Sequence, residues 1–101
     1  MEKSTFSPLY RYFRTRLVEL REKADMTQRD LARQLRREHS FVSRIELGEK
    51  RLDVVEFYWV CRACNDDPVK VAADLMAEFA RLEAEEKAAV PRRRKRKESR
   101  S

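Results

Sequence analysis

The chain has one glycine in 101 residues, at position 48. Phosphate-cradling loops and dinucleotide fingerprints each need at least two glycines, so both are excluded. Hairpin sheets rely on glycine turns, whereas the abundant Arg, Leu, Glu and Ala favour helices. The expectation is a single small all-α domain with an appendage. The only histidine, His39, has no partner cluster, so neither a catalytic centre nor a metal site assembles around it. No apolar run is long enough to cross a membrane. Met1-Glu2-Lys3-Ser4-Thr5 lacks the apolar core of a signal peptide. We therefore expect a cytoplasmic, non-enzymatic chain without a cofactor, its two cysteines reduced.

The net charge of +6 is not spread evenly. Residues 91–101, Pro-Arg-Arg-Arg-Lys-Arg-Lys-Glu-Ser-Arg-Ser, hold seven basic side chains and one acidic. The whole chain has 24 and 18, so residues 1–90 hold seventeen of each and are neutral. A segment of this kind cannot bury apolar surface and reads as a disordered basic tail. It has two readings: Arg92, Arg93, Arg94 and their neighbours contact phosphates, or the tail is only a solvated end.

Capping residues and prolines divide the remainder into five helices. Ser7-Pro8 is an N-cap followed by proline at the first helical position. The first helix is expected over Pro8 to Ala24, with Tyr10, Phe13, Leu17, Leu20 and Ala24 inward. Thr27, with Asp30 three residues on, starts a second helix over Gln28 to Leu35, burying Leu31, Ala32 and Leu35. The third covers His39 to Leu47, with Val42 and Ile45 inward, and Gly48 ends it. Asp53 caps a fourth through Cys64, burying Val54, Phe57, Val60 or Cys61, and Cys64; Asn65 tolerates the left-handed conformation that closes it. A long fifth helix runs from Pro68 to about Ala89, with an apolar stripe of Val69, Ala72, Leu75, Met76, Phe79 and Leu82. The organisation expected is an arm (1–7), a body (8–66), a C-terminal helix suited to dimerisation (67–90) and the basic tail (91–101).

Two short helices joined by a tight turn, the second rich in small polar residues, form a helix-turn-helix pattern. A helix reads the major groove when its outer face carries short hydrogen-bonding side chains. His39, Ser40, Ser43 and Arg44 supply such a face. At these residues the chain resembles a known family. Gln28-x-x-Leu31-Ala32, then Ser40-x-Val42-Ser43-Arg44-Ile45-Glu46-x-Gly48, is similar to the Cro/repressor (XRE-type) helix-turn-helix. Leu20-Arg21 and Arg51-Leu52-Asp53-Val54-Val55-Glu56-Phe57 extend the likeness over roughly Leu17 to Asp66. It implies a five-helix, lambda-repressor-like bundle whose third helix enters the major groove of a double-stranded DNA operator.

Roles follow by position. The resemblance implies base contacts from His39, Ser40, Phe41, Ser43 and Arg44; Phe41 is placed on the exposed side, against a thymine methyl or sugar or against the domain's own rim. It implies backbone contacts from Thr27, Gln28, Lys50 and Arg51, with Gln28 alternatively bracing the recognition helix. Arg21 and Glu46 match a partly buried structural ion pair. The family's turn carries glycine and then an apolar residue, where this chain has Arg36-Arg37. That substitution implies either a strained left-handed residue or another turn shape, with two further phosphate contacts as the gain. Cys61-x-x-Cys64 lacks a second pair for zinc and lies at a helix end, so burial is the expectation. Tyr58 and Trp59 cannot both be inward. The fifth helix suits a homodimer. The function implied is a sequence-specific transcriptional regulator, a repressor by default. The rivals are an antitoxin-like module whose C-terminal helix binds a protein, and a sequence-indifferent binder driven by the tail.

Overall fold

The structure, a computed structural model, describes residues 7–88. Five helices follow in order: α1 (Pro8–Lys23), α2 (Gln28–Leu35), α3 (Ser40–Leu47), α4 (Val54–Ala63) and α5 (Pro68–Ala88). No strand occurs among the described residues. The arm at 1–6 and the tail, including Arg92, Arg93 and Arg94, lie outside them.

The helix starts are made by side chains that satisfy otherwise orphaned amides. Ser7 Oγ accepts from Tyr10 N at 3.1 Å, ahead of Pro8. Thr27 and Asp30 form a reciprocal capping box at 2.9 and 3.0 Å. Its hydrogen bonds to the Thr27 amide and hydroxyl hold the Asp30 carboxyl below its ordinary range. Asp53 and Glu56 form a second box at 2.7 and 3.0 Å. The ends of the first four helices are also alike. Each closes on a left-handed residue, and the amide after it bonds back five residues. The left-handed residues are Asp25, Arg36, Gly48 and Asn65, so three of these four turns are made without glycine. The back-bonds are Met26 N to Arg21 O, Arg37 N to Ala32 O, Glu49 N to Arg44 O and Asp66 N to Cys61 O, at 2.9–3.2 Å.

One core unites all five helices: Leu17 and Leu20 from α1, Leu31 and Ala32 from α2, Phe41, Val42 and Ile45 from α3, Val60, Cys61 and Cys64 at α4, and Val71 and Leu75 from α5. Here two expectations need correction. Val54 is 78 % exposed, because the first residue of α4 lies at the rim, ahead of the buried Val60 and Cys61. On α5 the inward line is Val71, Leu75 and Phe79, at steps of four. Val69 and Met76, assigned to it by periodicity, are exposed. α5 packs on both α1 and α4, so its first half belongs to the same core as the helix-turn-helix.

Candidate nucleic-acid interface

α3 is fastened to the bundle through Glu46. Arg21 approaches the Glu46 carboxylate as a fork, Nε to Oε2 at 2.7 Å and Nη2 to Oε1 at 3.1 Å. Its third nitrogen donates to Met26 O at 2.9 Å. The two side chains are 12 % and 8 % exposed, so this is a buried pair. Hydrogen bonding to Glu46 holds Arg21 more firmly protonated, against the opposing effect of desolvation. Gln28 Nε2 donates to the same carboxylate at 2.8 Å. Of the two uses open for Gln28, the brace is the one present. Arg14, two turns before Arg21 on α1, donates from Nη1 to the Glu46 carbonyl at 3.2 Å. Its cation thus lies at the negative end of α3.

The same face of α1 fixes the loop after α3. Tyr10 Oη accepts from Leu52 N at 3.2 Å. Arg14 lies over Gly48, where an added Cβ would sit 3.1 Å from its Cζ and Nη1. Lys50 and Arg51 project from this anchored loop. Lys50 Nζ lies 5.6 Å from the Phe41 ring centre, and Arg51 Cζ 5.9 Å from that of Tyr10.

The outer face of α3 carries Ser40, Ser43, Arg44 and Leu47, at the i, i+3, i+4, i+7 spacing of one helix face. His39 precedes them as an N-cap whose side chain makes no capping bond. His39 and Arg44 are exposed, while Ser40 and Ser43 are half-buried. Ser43 Oγ donates to Ser40 O at 3.1 Å, leaving its lone pairs free. Leu47 is 65 % exposed on this face and was not foreseen. Its spacing from Ser40 and Ser43 was the available signal.

Phe41 does not belong to this face. It is 4 % exposed and packs in the core. It stands four residues before Ile45 and so shares the inward side of α3. The structure removes it from the set of base-contacting candidates. Arg37 covers it, with the guanidinium carbon 3.9 Å from the ring centre, and pairs with Glu56 at 3.3 Å. Arg37 thereby fills the place of the apolar plug: its planar head seals the core edge while its charge meets the α4 capping carboxylate. Arg36 takes the left-handed conformation (φ 59°, ψ 42°), so the usual turn shape is kept and its strain accepted. Its side chain lines a groove with Trp59 and Arg62.

Cys61 and Cys64 are free and buried. Desolvation pushes their thiols up to about 12 and about 11, the opposite of what an attacking thiolate requires. Among the described residues no group of three or more His, Cys, Asp or Glu is placed to hold a metal ion. Among them, too, no helix is long and apolar enough to cross a membrane.

Comparison with known proteins agrees with this geometry. A family described as helix-turn-helix domain matches residues 13–73. Among solved structures, an XRE-family like protein from Pseudomonas syringae pv. tomato str. DC3000 is 41 % identical, with a TM-score of 0.66, over 69 % of this chain and 85 % of that one. Among curated proteins the chain matches none. The chain belongs to the XRE-type helix-turn-helix family of DNA-binding regulators.

Proposed function

We propose that the protein is a sequence-specific repressor that inserts α3 into the major groove of an operator and blocks a promoter by occupying it. One observation carries this reading. The back of α3 is bonded through Glu46 to two other helices, while His39, Ser40, Ser43 and Arg44 on its outer side keep hydrogen-bonding capacity. His39, Ser40, Ser43 and Arg44 meet base edges, with Leu47 available to a thymine methyl. Thr27, Lys50 and Arg51 meet phosphates and set the register.

The protein acts as a homodimer. An open apolar groove of about 450 Å³ runs between α1, α4 and α5, lined by Leu9, Phe13, Phe57 and Phe79 with Val54 and Met76 at its rim. Covering such a surface with its own two-fold copy matches the symmetry of a palindromic operator.

Selection from a random duplex library tests the whole reading. The expected product is an inverted repeat with half-sites about 10 base pairs apart. No enrichment, or a single asymmetric site bound by one chain, would overturn it. Residues 1–90 alone should keep the preference but show a shallower salt dependence. Loss of preference with the tail would favour a sequence-indifferent binder.

A further inference from the structure

A second surface of the helix-turn-helix carries chemistry that reading base edges does not require. The outward stripe of α4 presents Val55, Trp59 and Arg62 at i, i+4 and i+7, with Tyr58 alongside. Trp59 is 53 % exposed, and Val55 and Tyr58 are about half exposed. Between this stripe and the C-terminal end of α2 lies an open groove of about 460 Å³, lined by Gln34, Leu35, Arg36, Trp59, Arg62 and Ala63.

The charges at this groove are not compensated. Nearby Arg33 pairs with Asp30, and Arg37 pairs with Glu56. Among the described residues Arg36 and Arg62 have no ion pair and no side-chain hydrogen bond, and both line the groove. Two free guanidinium groups therefore flank a half-exposed indole. An occupant has to offer an apolar group to the ring and anionic groups to the arginines. Trp, Tyr and Arg are the residue types that dominate binding energy in protein interfaces. The outside of a DNA duplex offers phosphates to arginine but little for an indole to pack against.

The geometry points to a docking site for an acidic segment of another protein, whose apolar anchor packs on Trp59 while its carboxylates pair with Arg36 and Arg62. The groove lining shares no residue with the outer face of α3 and is testable without DNA.

Trp59 is the only tryptophan, so its emission in the full chain reports the groove directly. The probe is a blocked peptide of Asp, Glu, Leu and Phe, with a twin in which Lys replaces every acidic residue. The acidic peptide should shift Trp59 emission to the blue with saturable, salt-weakened binding, and the twin should not. The double variant Arg36→Ser/Arg62→Ser should weaken binding about tenfold or more. Arg44→Ser, which removes an unpaired arginine from the other face, should leave it unchanged. Both changes are at the surface, and circular dichroism checks that the helices persist. An equal response to both peptides, or none at about millimolar peptide, overturns the proposal. So does emission that changes only with protein concentration, which would make the groove a self-association face. Emission that responds only to a random duplex, and only while Arg36 is present, would place the groove in the DNA contact instead.

Discussion

At its C-terminal end α3 is bonded from α1 and α2, through Arg21, Gln28 and Arg14, all converging on Glu46. On its outer face His39 and Arg44 are exposed, with no side-chain bond to another described residue, and Ser43 donates only within its own turn. The difference shows how a small domain can hold a helix in place and leave its outer face uncommitted. The entropy of fixing the helix is met inside the fold, at one residue, so the outer side chains keep their donors and acceptors for a ligand. Anchoring and exposed hydrogen-bonding groups are separated across the two faces of one eight-residue helix.

Glu46→Ala attacks the fastened end and should have the largest effect. It leaves the buried Arg21 guanidinium without its carboxylate, at a cost on the order of 3 kcal/mol, read from the denaturant midpoint. A loss below about 1 kcal/mol, the range of a surface pair, would break the contrast. Arg44→Ser attacks the outer face and should do the reverse. Stability should stay within about 0.5 kcal/mol, while affinity for a selected duplex falls by about tenfold or more. If both properties fall together, the two faces are not separable. Arg14→Met sharpens the contrast at the carbonyl of Glu46. It removes one charge-assisted hydrogen bond, but also a buried Nε that has no acceptor. The net cost should be about 1 kcal/mol by thermal unfolding. Arg36→Gly, in the turn between the two helices, relieves a left-handed side chain and should stabilise by about 0.5 kcal/mol, less than the full strain because glycine frees the unfolded chain.

The smallest effect is expected in the pH dependence near neutrality, from the ionisation of the cysteines. Both thiols keep their protons in the fold to about 12 and about 11, against an ordinary value of 9.0. Between those limits the unfolded chain has lost protons that the folded one retains. Their contribution is therefore intact below pH 9 and lost as pH rises above it. Cys61→Ala/Cys64→Ala should flatten the alkaline fall in stability without altering its value trend below pH 9.

Much of the fold was legible because its punctuation is local. Ser7-Pro8, Thr27 with Asp30, Asp53, Gly48 and Asn65 each act within a few residues, and the five helices start and stop within a residue or so of where these place them. Phase was harder to read. In the eight residues of α3 two turns carry the whole pattern, and Phe41 was assigned outward though it shares a face with Ile45. Val54 and Val69 look inward by spacing, yet each lies in the first turn of its helix, at the rim, where a neighbour is needed to cover it. The candidate site divides the same way. The reading face follows from small polar residues at helical spacing. The stacking of Arg37 on Phe41 and its pairing with Glu56 join residues up to nineteen apart, and only the packing of α2, α3 and α4 brings them together.

The solitary glycine has a consequence for the denatured chain. Four helices end in the same left-handed turn, and at position 48, the one glycine among them, an added Cβ would crowd the Arg14 guanidinium at 3.1 Å. At Asp25, Arg36 and Asn65 the fold tolerates an ordinary side chain, and the unfolded ensemble is stiffer for it, because each such residue visits fewer backbone states than glycine. A chain that makes its turns this way starts folding with less disorder to lose, which suits a domain whose core is small.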